Sequence, residues 1–76
     1  MLKENKLRAK IVENGMTIPD VALACGMNAA TFYRRIADEG RSFTVREVSD
    51  IVACLHMTAA EANDIFFSNF VSEVRQ

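Results

Sequence analysis

The most constraining feature of this sequence is a series of signals that start and stop helices, because they divide the chain into short segments. A threonine followed three residues later by an acidic residue forms a capping box, which favours the first turn of a helix. The chain has three such pairs: Thr17 with Asp20, Thr44 with Glu47, and Thr58 with Glu61. Gly15 and Gly26 are placed where a left-handed residue would end a helix. The spacing of these signals predicts short helices only.

The composition agrees with a small helical chain. Half of the 76 residues are hydrophobic and 25% are charged, whereas only three glycines and one proline are present. These proportions exclude a disordered tail, a collagen-like chain and a loop-rich disulfide scaffold. The β-branched residues are scattered instead of alternating, which favours helices over strands. We therefore expect a single all-α domain over residues 1–76, arranged as a compact five-helix bundle.

The apolar periodicity predicts three helices in the first half of the chain. Helix one is expected over residues 2–14, helix two from the Thr17 cap to Gly26, and helix three from an Asn28 cap to Ile36. Residues 37–43 have no helical period and predict a loop. Each helix has an inward stripe at spacings of three and four residues: Leu7, Ile11 and Val12 in helix one, Ile18, Val21, Ala22 and Cys25 in helix two, and Phe32 and Ile36 in helix three.

Two further helices are predicted in the second half. Helix four begins after the Thr44 cap and ends near His56, an imidazole that suits the exposed carbonyls of a helix end. Helix five begins at Ala59, and the spacing of its apolar residues favours a continuation into the tail. The predicted inward residues are Val45, Val48, Val52 and Leu55 in helix four, Ala62, Ile65 and Phe66 in helix five, and Phe67, Phe70, Val71 and Val74 in its continuation.

The sequence lacks the residue patterns of enzymes, metal-binding proteins and membrane proteins. The chain has no triad-like set, no Gly-rich phosphate loop and no metal-ligand spacing, so we expect no catalytic activity, no cofactor and no metal. Its apolar stretches are far shorter than the about 20 residues that span a bilayer, and residues 1–10 are charged where a signal peptide would be apolar. We expect no membrane partner and a cytoplasmic protein, in which Cys25 and Cys54 are small buried thiols without a disulfide.

The charge is unevenly distributed, although the net charge is only −1. Residues 1–41 carry a net charge of +2, and residues 42–76 carry −3. A basic half followed by an acidic half is compatible with a polyanion that docks on the first half.

Residues 17–36, TIPDVALACGMNAATFYRRI, have the pattern of a helix-turn-helix unit. Such a unit needs a small residue in its first helix, a glycine in the turn and large apolar residues that hold the second helix. Ala22, Gly26 and Phe32 meet these three requirements in order. An ordinary αα-hairpin is the alternative that the pattern leaves open.

The chain here resembles the phage repressor-like helix-turn-helix domains of the Cro type, a lambda repressor-like and XRE-like group. The resemblance is carried by the motifs GMNAATF, FTVREV and LHMTAAEANDIFF, and it covers nearly the whole chain. It implies a sequence-specific DNA-binding transcriptional regulator of phage or prophage type, which acts by occupying an operator. The chain departs from the family in the first turn of helix two, where Ile18 and Pro19 stand in place of a glutamine that binds phosphate in many of these domains.

The resemblance implies that helix three lies in the major groove of double-stranded DNA. It assigns Arg34 to guanine, because a guanidinium pairs with the O6 and N7 atoms of that base, and the alanine methyls to thymine. The implied groove contacts are Asn28, Ala29, Ala30, Tyr33 and Arg34. The implied contacts to the sugar-phosphate backbone, which set register without reading sequence, are Arg35 and Arg41, with Lys6 or Lys10 from helix one. Thr17 is a further implied DNA contact.

The apolar residues near the end of the chain indicate a second surface: Phe66, Phe67, Phe70, Val71 and Val74. They exceed what one short helix can bury against a four-helix core. A homodimer that binds half-sites about 34 Å apart would cover them, and packing within one chain is the equal alternative. The rival to DNA binding is a protein-interaction module, such as an antirepressor or adaptor on the same scaffold, which the net charge of −1 favours.

Overall fold

Five helices joined by short connections make up residues 2–67, which are the residues that this computed structural model describes. In chain order the helices are Glu4–Glu13 (α1), Ile18–Ala24 (α2), Ala29–Ala37 (α3), Val45–Cys54 (α4) and Ala59–Phe66 (α5). Residues 2–67 contain no strand, so the prediction of an all-α fold with five helices is confirmed for this part of the chain. None of these five helices has the length and apolar character needed to cross a membrane.

Four of the helices begin at the predicted caps. The side chains of the cap residues accept a hydrogen bond from the backbone N–H three residues later, and each such bond contributes about 1 kcal/mol. At α2, α4 and α5 the acidic partner also accepts from the N–H of the cap residue, which completes both halves of the capping box. The four caps are Thr17, Asn28, Thr44 and Thr58.

Four helices end in the same hydrogen-bonded turn, in which a residue of positive φ follows the C-cap. The N–H of this residue and the next N–H both bond back to carbonyls of the last helical turn, which is the Schellman arrangement. Glycine occupies the position after α1 and α2, as the sequence predicts. Glu39, with φ 57°, and His56, with φ 54°, occupy it after α3 and α4. The end of α4 near His56 is therefore confirmed, although its backbone conformation is one that glycine would adopt more readily.

The core is apolar throughout the described residues, with no buried polar or charged residue among them. Phe32 of α3 packs edge-to-face on Phe43, with ring centroids 5.5 Å apart, and Phe43 packs in the same way on Phe66 of α5 at 6.1 Å. This aromatic row joins α3, the connection after it and α5. The most completely buried large side chains come from the first four helices and their ends: Leu7, Val21, Phe32, Ile51 and Leu55.

Leu2 lies outside α1, although the pattern predicts it within helix one. Its side chain is buried in the core, and its N–H donates to the Glu39 carbonyl at 3.0 Å. The next N–H, of Lys3, donates to the Ile65 carbonyl at 2.9 Å. The start of the described chain is thus tied to the α3–α4 connection and to α5 before α1 begins. These partners are distant in sequence, so no local pattern predicts them.

Two residues predicted to face inward are exposed instead. Val12 is 73% exposed, because Leu7 and Ile11 define the buried face of α1 and the residue after Ile11 is rotated about 100° around the helix axis. Val45 is 86% exposed because it is the first residue of α4, and the buried stripe of that helix begins one turn later at Val48.

The predicted continuation of helix five is wrong at its first residue. α5 ends at Phe66, and Phe67 is its C-cap. Phe66 belongs to the core, whereas Phe67 is 38% exposed. The other residues of the predicted continuation, Phe70, Val71 and Val74, lie outside the described residues.

Cys25 and Cys54 are both free thiols. They are half-buried instead of fully buried as predicted, and both pack against the edge of the core. Burial, with a smaller effect from the nearby Cys54 thiol, raises the pKa of Cys25 to about 11. Cys25 therefore stays protonated at neutral pH and acts as a small apolar group.

Candidate nucleic-acid interface

The outward face of α3 brings together three of the residues that the sequence selects for DNA contact. Ala30, Tyr33 and Arg34 follow one another at spacings of three and one, and all three are exposed. Phe32 and Ile36 lie on the opposite side of the helix and are buried, with 0% and 6% exposure. The two apolar residues hold α3 against α2 and the core, and this determines which side of α3 faces solvent.

Asn28 and Ala29 lie at the N-terminal end of the same helix. Asn28 is exposed, and its side-chain oxygen accepts from the Thr31 N–H at 2.8 Å, which caps α3. No described residue accepts a hydrogen bond from the amide group of Asn28, so this group remains a donor for a phosphate oxygen or a base acceptor. Ala29 is half-buried, so its methyl group is less accessible than that of Ala30.

Arg34 is more exposed to solvent than Arg35, the other basic residue of α3. Its Nη2 donates to Thr31 Oγ1 at 3.2 Å, and none of the ion pairs within residues 2–67 includes it. Most of its N–H donors are therefore available. A guanidinium in this state can form the two parallel hydrogen bonds that guanine or a phosphate accepts.

Arg35 is directed to α4 instead. Its side chain is only 26% exposed, and that of Glu47 is 19% exposed. Arg35 Nη2 donates to Glu47 Oε2 at 3.0 Å, and Nη1 donates to the Ser42 carbonyl at 3.1 Å. Arg35 Nε lies 3.0 Å from Glu47 Oε1 but is not aligned for a hydrogen bond. Two adjacent arginines therefore have different surroundings, which the sequence analysis does not distinguish.

Arg41 and Thr17, the other predicted DNA contacts outside α3, are exposed and have weak or local partners. Arg41 Nη2 donates to Glu39 at 2.9 Å, and its side chain is 70% exposed, so a phosphate could replace Glu39 at little cost. Thr17 shares the α2 capping box with Asp20, and the bond from the Thr17 N–H holds the pKa of Asp20 below its ordinary value. A carboxylate thus already occupies the N-terminus of α2, where it would repel a phosphate.

The lysines of α1 are paired with α5. Lys6 shares the Asp64 carboxylate with Lys3, and Lys10 donates to Glu61 at 2.9 Å. The hydrogen bonds from Lys3 and then Lys6 lower the pKa of Asp64, and the bond to Glu61 raises the pKa of Lys10. Lys6 and Lys10, which were predicted to contact the DNA backbone, are thus already bound to carboxylates of α5. The same ion pairs hold α1 against α5.

Arg46 is a basic residue that the sequence analysis does not select. It is exposed in the first turn of α4, and none of the ion pairs within residues 2–67 includes it. The next residue, Glu47, binds Arg35, so Arg46 lies on the turn of α4 that adjoins α3. Only this tertiary contact identifies Arg46, since its sequence surroundings carry no signal of their own.

The basic residues that are not in ion pairs lie in α3 or in the neighbouring first turn of α4. Six of the eight basic residues within 2–67 are in ion pairs, and the exceptions are Arg34 and Arg46. The chain has no aspartate or glutamate between Asp20 and Asp38, a stretch that includes most of α2 and all of α3. The outward face of α3 is therefore polar and basic without an acidic residue of its own.

Comparison of the chain with protein-family models, with curated proteins and with solved structures finds no match in any of the three.

Proposed function

We propose that the protein is a sequence-specific DNA-binding transcriptional regulator of the phage repressor type, in which α2 and α3 form a helix-turn-helix and α3 enters the major groove. The connection between the two helices supports this proposal, because it is short, spans residues 25–28, and contains Gly26 at φ 74°. Ala22 is fully buried in α2, which allows α2 and α3 to pack closely. Short helices, a turn glycine and a small buried residue are the requirements of this unit.

One observation carries the proposal: Asn28, Ala30, Tyr33 and Arg34 are exposed together on a helix that has no carboxylate. An amide, a methyl group and a guanidinium are groups that read base edges, and a tyrosine hydroxyl binds a phosphate or a base edge. A face selected only for solubility would mix acidic with basic residues. In the proposed complex Arg34 reads guanine, Asn28 binds adenine or a phosphate, and Ala30 packs on a thymine methyl.

The proposed contacts to the DNA backbone differ from those that the resemblance implies. Arg41 and Arg46 are exposed arginines between the end of α3 and the first turn of α4, and we assign them to phosphates. Lys6 and Lys10 are left out because they hold α5 through Asp64 and Glu61.

The salt dependence of binding tests the proposal. Each phosphate that a cation neutralises releases counterions, so the logarithm of the affinity falls with the logarithm of the salt concentration by about 0.9 per contact. With Arg41 and Arg46 each bound to a phosphate, we expect a slope of roughly −2 per protomer. Electrophoretic mobility shifts over a salt series, with DNA fragments from the region around the gene itself, measure the slope. A slope near zero, or no retained fragment at low salt, contradicts the proposal.

We also propose that the regulator binds paired half-sites as a homodimer through Phe67. This side chain is 38% exposed and packs beside Phe66, with ring centroids 6.2 Å apart. It lies at the edge of a groove of about 330 Å³ that Gly40, Phe43 and Val48 help to line. Glu39 and Arg41 line the same groove, so it has a charged edge beside its apolar part. An exposed aromatic residue beside such a groove is suited to protein–protein contact. Phe66 itself is buried in the core and is therefore left out of the proposed interface.

A protein-interaction module on the same scaffold is the second candidate. Two observations favour it: most basic residues within 2–67 are already paired with carboxylates of the same chain, and the net charge of the whole protein is −1. The salt series distinguishes the two candidates, because a protein that binds only another protein would retain no DNA fragment at low salt.

A further inference from the structure

Arg35 connects the candidate DNA-binding helix to the first turn of α4. Its guanidinium donates to the Glu47 carboxylate at 3.0 Å and to the Ser42 carbonyl at 3.1 Å, and both partner side chains of the ion pair are largely covered. Glu47 also accepts the Thr44 N–H at 2.9 Å, as part of the α4 capping box. A single carboxylate therefore holds the start of α4 and the C-terminal half of α3 together.

This is the only side-chain ion pair between α3 and α4 within residues 2–67. The other anchors of α3 are Phe32, which packs edge-to-face on Phe43, and Ile36, whose aliphatic contacts are not directional. A planar guanidinium bound to a carboxylate and a carbonyl has a fixed geometry. The apolar residues thus determine which face of α3 is buried, and the Arg35 contacts restrict the angle at which the helix lies.

We propose that Arg35 is a positioning residue, which acts through Glu47 to set the orientation in which Tyr33 and Arg34 meet the bases. Arg35 contacts neither bases nor phosphates in this arrangement. A phosphate contact would require the guanidinium to leave Glu47, and a half-buried carboxylate without its cation is costly. The role rests on the proposed function, because it specifies how the same face of α3 reads DNA.

Two variants test this role. Arg35→Met replaces the guanidinium with an uncharged, apolar side chain of similar length and so removes the ion pair. Glu47→Gln keeps an acceptor for the Thr44 N–H and so preserves the α4 cap. The measurements are the ratio of affinities for the specific and a scrambled DNA fragment, and the slope of affinity against salt. We expect each variant to lower the ratio by about tenfold with an unchanged slope, and the double variant to lower it no further, because each change breaks the same pair.

Direct phosphate contact by Arg35 would give different results. Arg35→Met would then reduce the steepness of the slope by about 0.9, and Glu47→Gln would leave the affinity ratio unchanged because it frees Arg35 for the same phosphate. Either result overturns the positioning role. Arg34→Ala is the matched control, since it should lower the affinity ratio through a lost base contact while Arg35 and Glu47 remain paired.

The outcomes also separate this role from the proposed function. If the wild-type protein retains no DNA fragment, the proposed function is wrong, and the positioning role is wrong with it. If the wild type binds specifically and the ratio is unchanged in folded Arg35→Met and Glu47→Gln, only the positioning role is overturned. Thermal unfolding verifies that each variant is folded. If Arg35→Met does not fold, the affinity ratio of Glu47→Gln decides whether Arg35 has the positioning role.

Discussion

The Cβ atom of Leu2 occupies the space that a side chain at Gly40 would need. A Cβ at Gly40 would lie 2.9 Å from Leu2 Cβ, which is closer than real Cβ atoms approach one another. Gly40 also has a φ of 76°, a conformation that costs an L-residue about 1–2 kcal/mol. The connection between α3 and α4 thus packs directly over the start of the described chain, where Leu2 bonds to Glu39.

Gly40→Ala should therefore destabilise the protein more than the same change at a glycine with free space. Gly26 is the matched control, because its φ is 74° and no atom lies within 4 Å of the position of a Cβ. We expect Gly26→Ala to cost about 1 kcal/mol of unfolding free energy, and Gly40→Ala to cost a further about 1–3 kcal/mol from overpacking against Leu2. Urea denaturation of both variants measures the difference. An equal loss of unfolding free energy in the two variants would show that Leu2 can shift away from a Cβ at residue 40 without an energetic cost.

His56→Gly should stabilise the protein. His56 is exposed and has a φ of 54°, which glycine adopts without steric cost, at the position after the α4 C-cap. We expect a gain of about 0.5–1 kcal/mol in the free energy of unfolding. Ala53→Gly, on an exposed position inside α4, is the control and should instead cost about 1 kcal/mol. A loss of stability in His56→Gly would mean that the imidazole makes a favourable contact of its own.

Arg34→Ala and Arg41→Ala should weaken DNA binding in different ways. Loss of a guanine contact at Arg34 should cost about 1–3 kcal/mol of specific binding and relax the preference at one base pair. Arg41→Ala should weaken binding to all sequences alike, because its exposed guanidinium would bind a phosphate. Affinities for a set of single-base operator variants measure both effects. Equal losses on every sequence for both variants would remove Arg34 from base recognition.

Phe67→Ser should reduce self-association while the fold is retained. Phe67 is partly exposed and lies at the end of α5, so its removal leaves little cavity. Leu23→Ser is the control, because Leu23 is 80% exposed on α2, away from the proposed interface. Sedimentation equilibrium should show a dimer for wild type and Leu23→Ser, and a larger monomer fraction for Phe67→Ser. A wild-type protein that stays monomeric at high concentration and on DNA contradicts the proposed homodimer.

Asp64 should contribute to a loss of stability in acid. The hydrogen bond from Lys3, and then that from Lys6, lowers the pKa of Asp64 from its ordinary value of 3.8. Because the unfolded chain binds this proton more readily, the contribution of Asp64 is complete above the ordinary pKa and disappears as the pH falls through the lower, folded value. Asp64→Asn should therefore lose less stability than wild type between pH about 5 and about 2.5, as measured by urea denaturation at each pH.

The control for this prediction is Asn63→Ala, which changes an exposed neighbour without a titratable group and should keep the wild-type dependence on pH. Identical acid profiles for wild type and Asp64→Asn would show that the ion pairs of Asp64 do not couple to folding.

The starts of α2, α3, α4 and α5 were predictable from the sequence because each of their caps is closed within four residues. Thr44 and Glu47, for example, bond to each other through backbone groups of the same turn, and no other part of the chain is needed. The ends of α3 and α4 were harder to predict, since Glu39 and His56 adopt a conformation that the rest of the turn imposes. Glycine is a reliable stop signal, but its absence does not exclude the same turn.

The outward face of α3 was also predictable, because burial of Phe32 and Ile36 on one side requires Tyr33 and Arg34 to lie on another. The sequence did not predict that Arg34 and Arg35 have different surroundings. The partner of Arg35 is Glu47, twelve residues away, and the pair exists only because the tertiary fold brings the first turn of α4 beside α3.

Local periodicity and capping thus determined where four of the five helices begin and which residues are candidates for the core. Tertiary packing decided which of the charges without a local partner remain available to a ligand. It paired Lys6 with Asp64 and Lys10 with Glu61, and it placed Leu2 over Gly40. The physical reason is range: a cap or an apolar stripe depends on residues within one or two turns, whereas an ion pair between helices depends on how those helices dock.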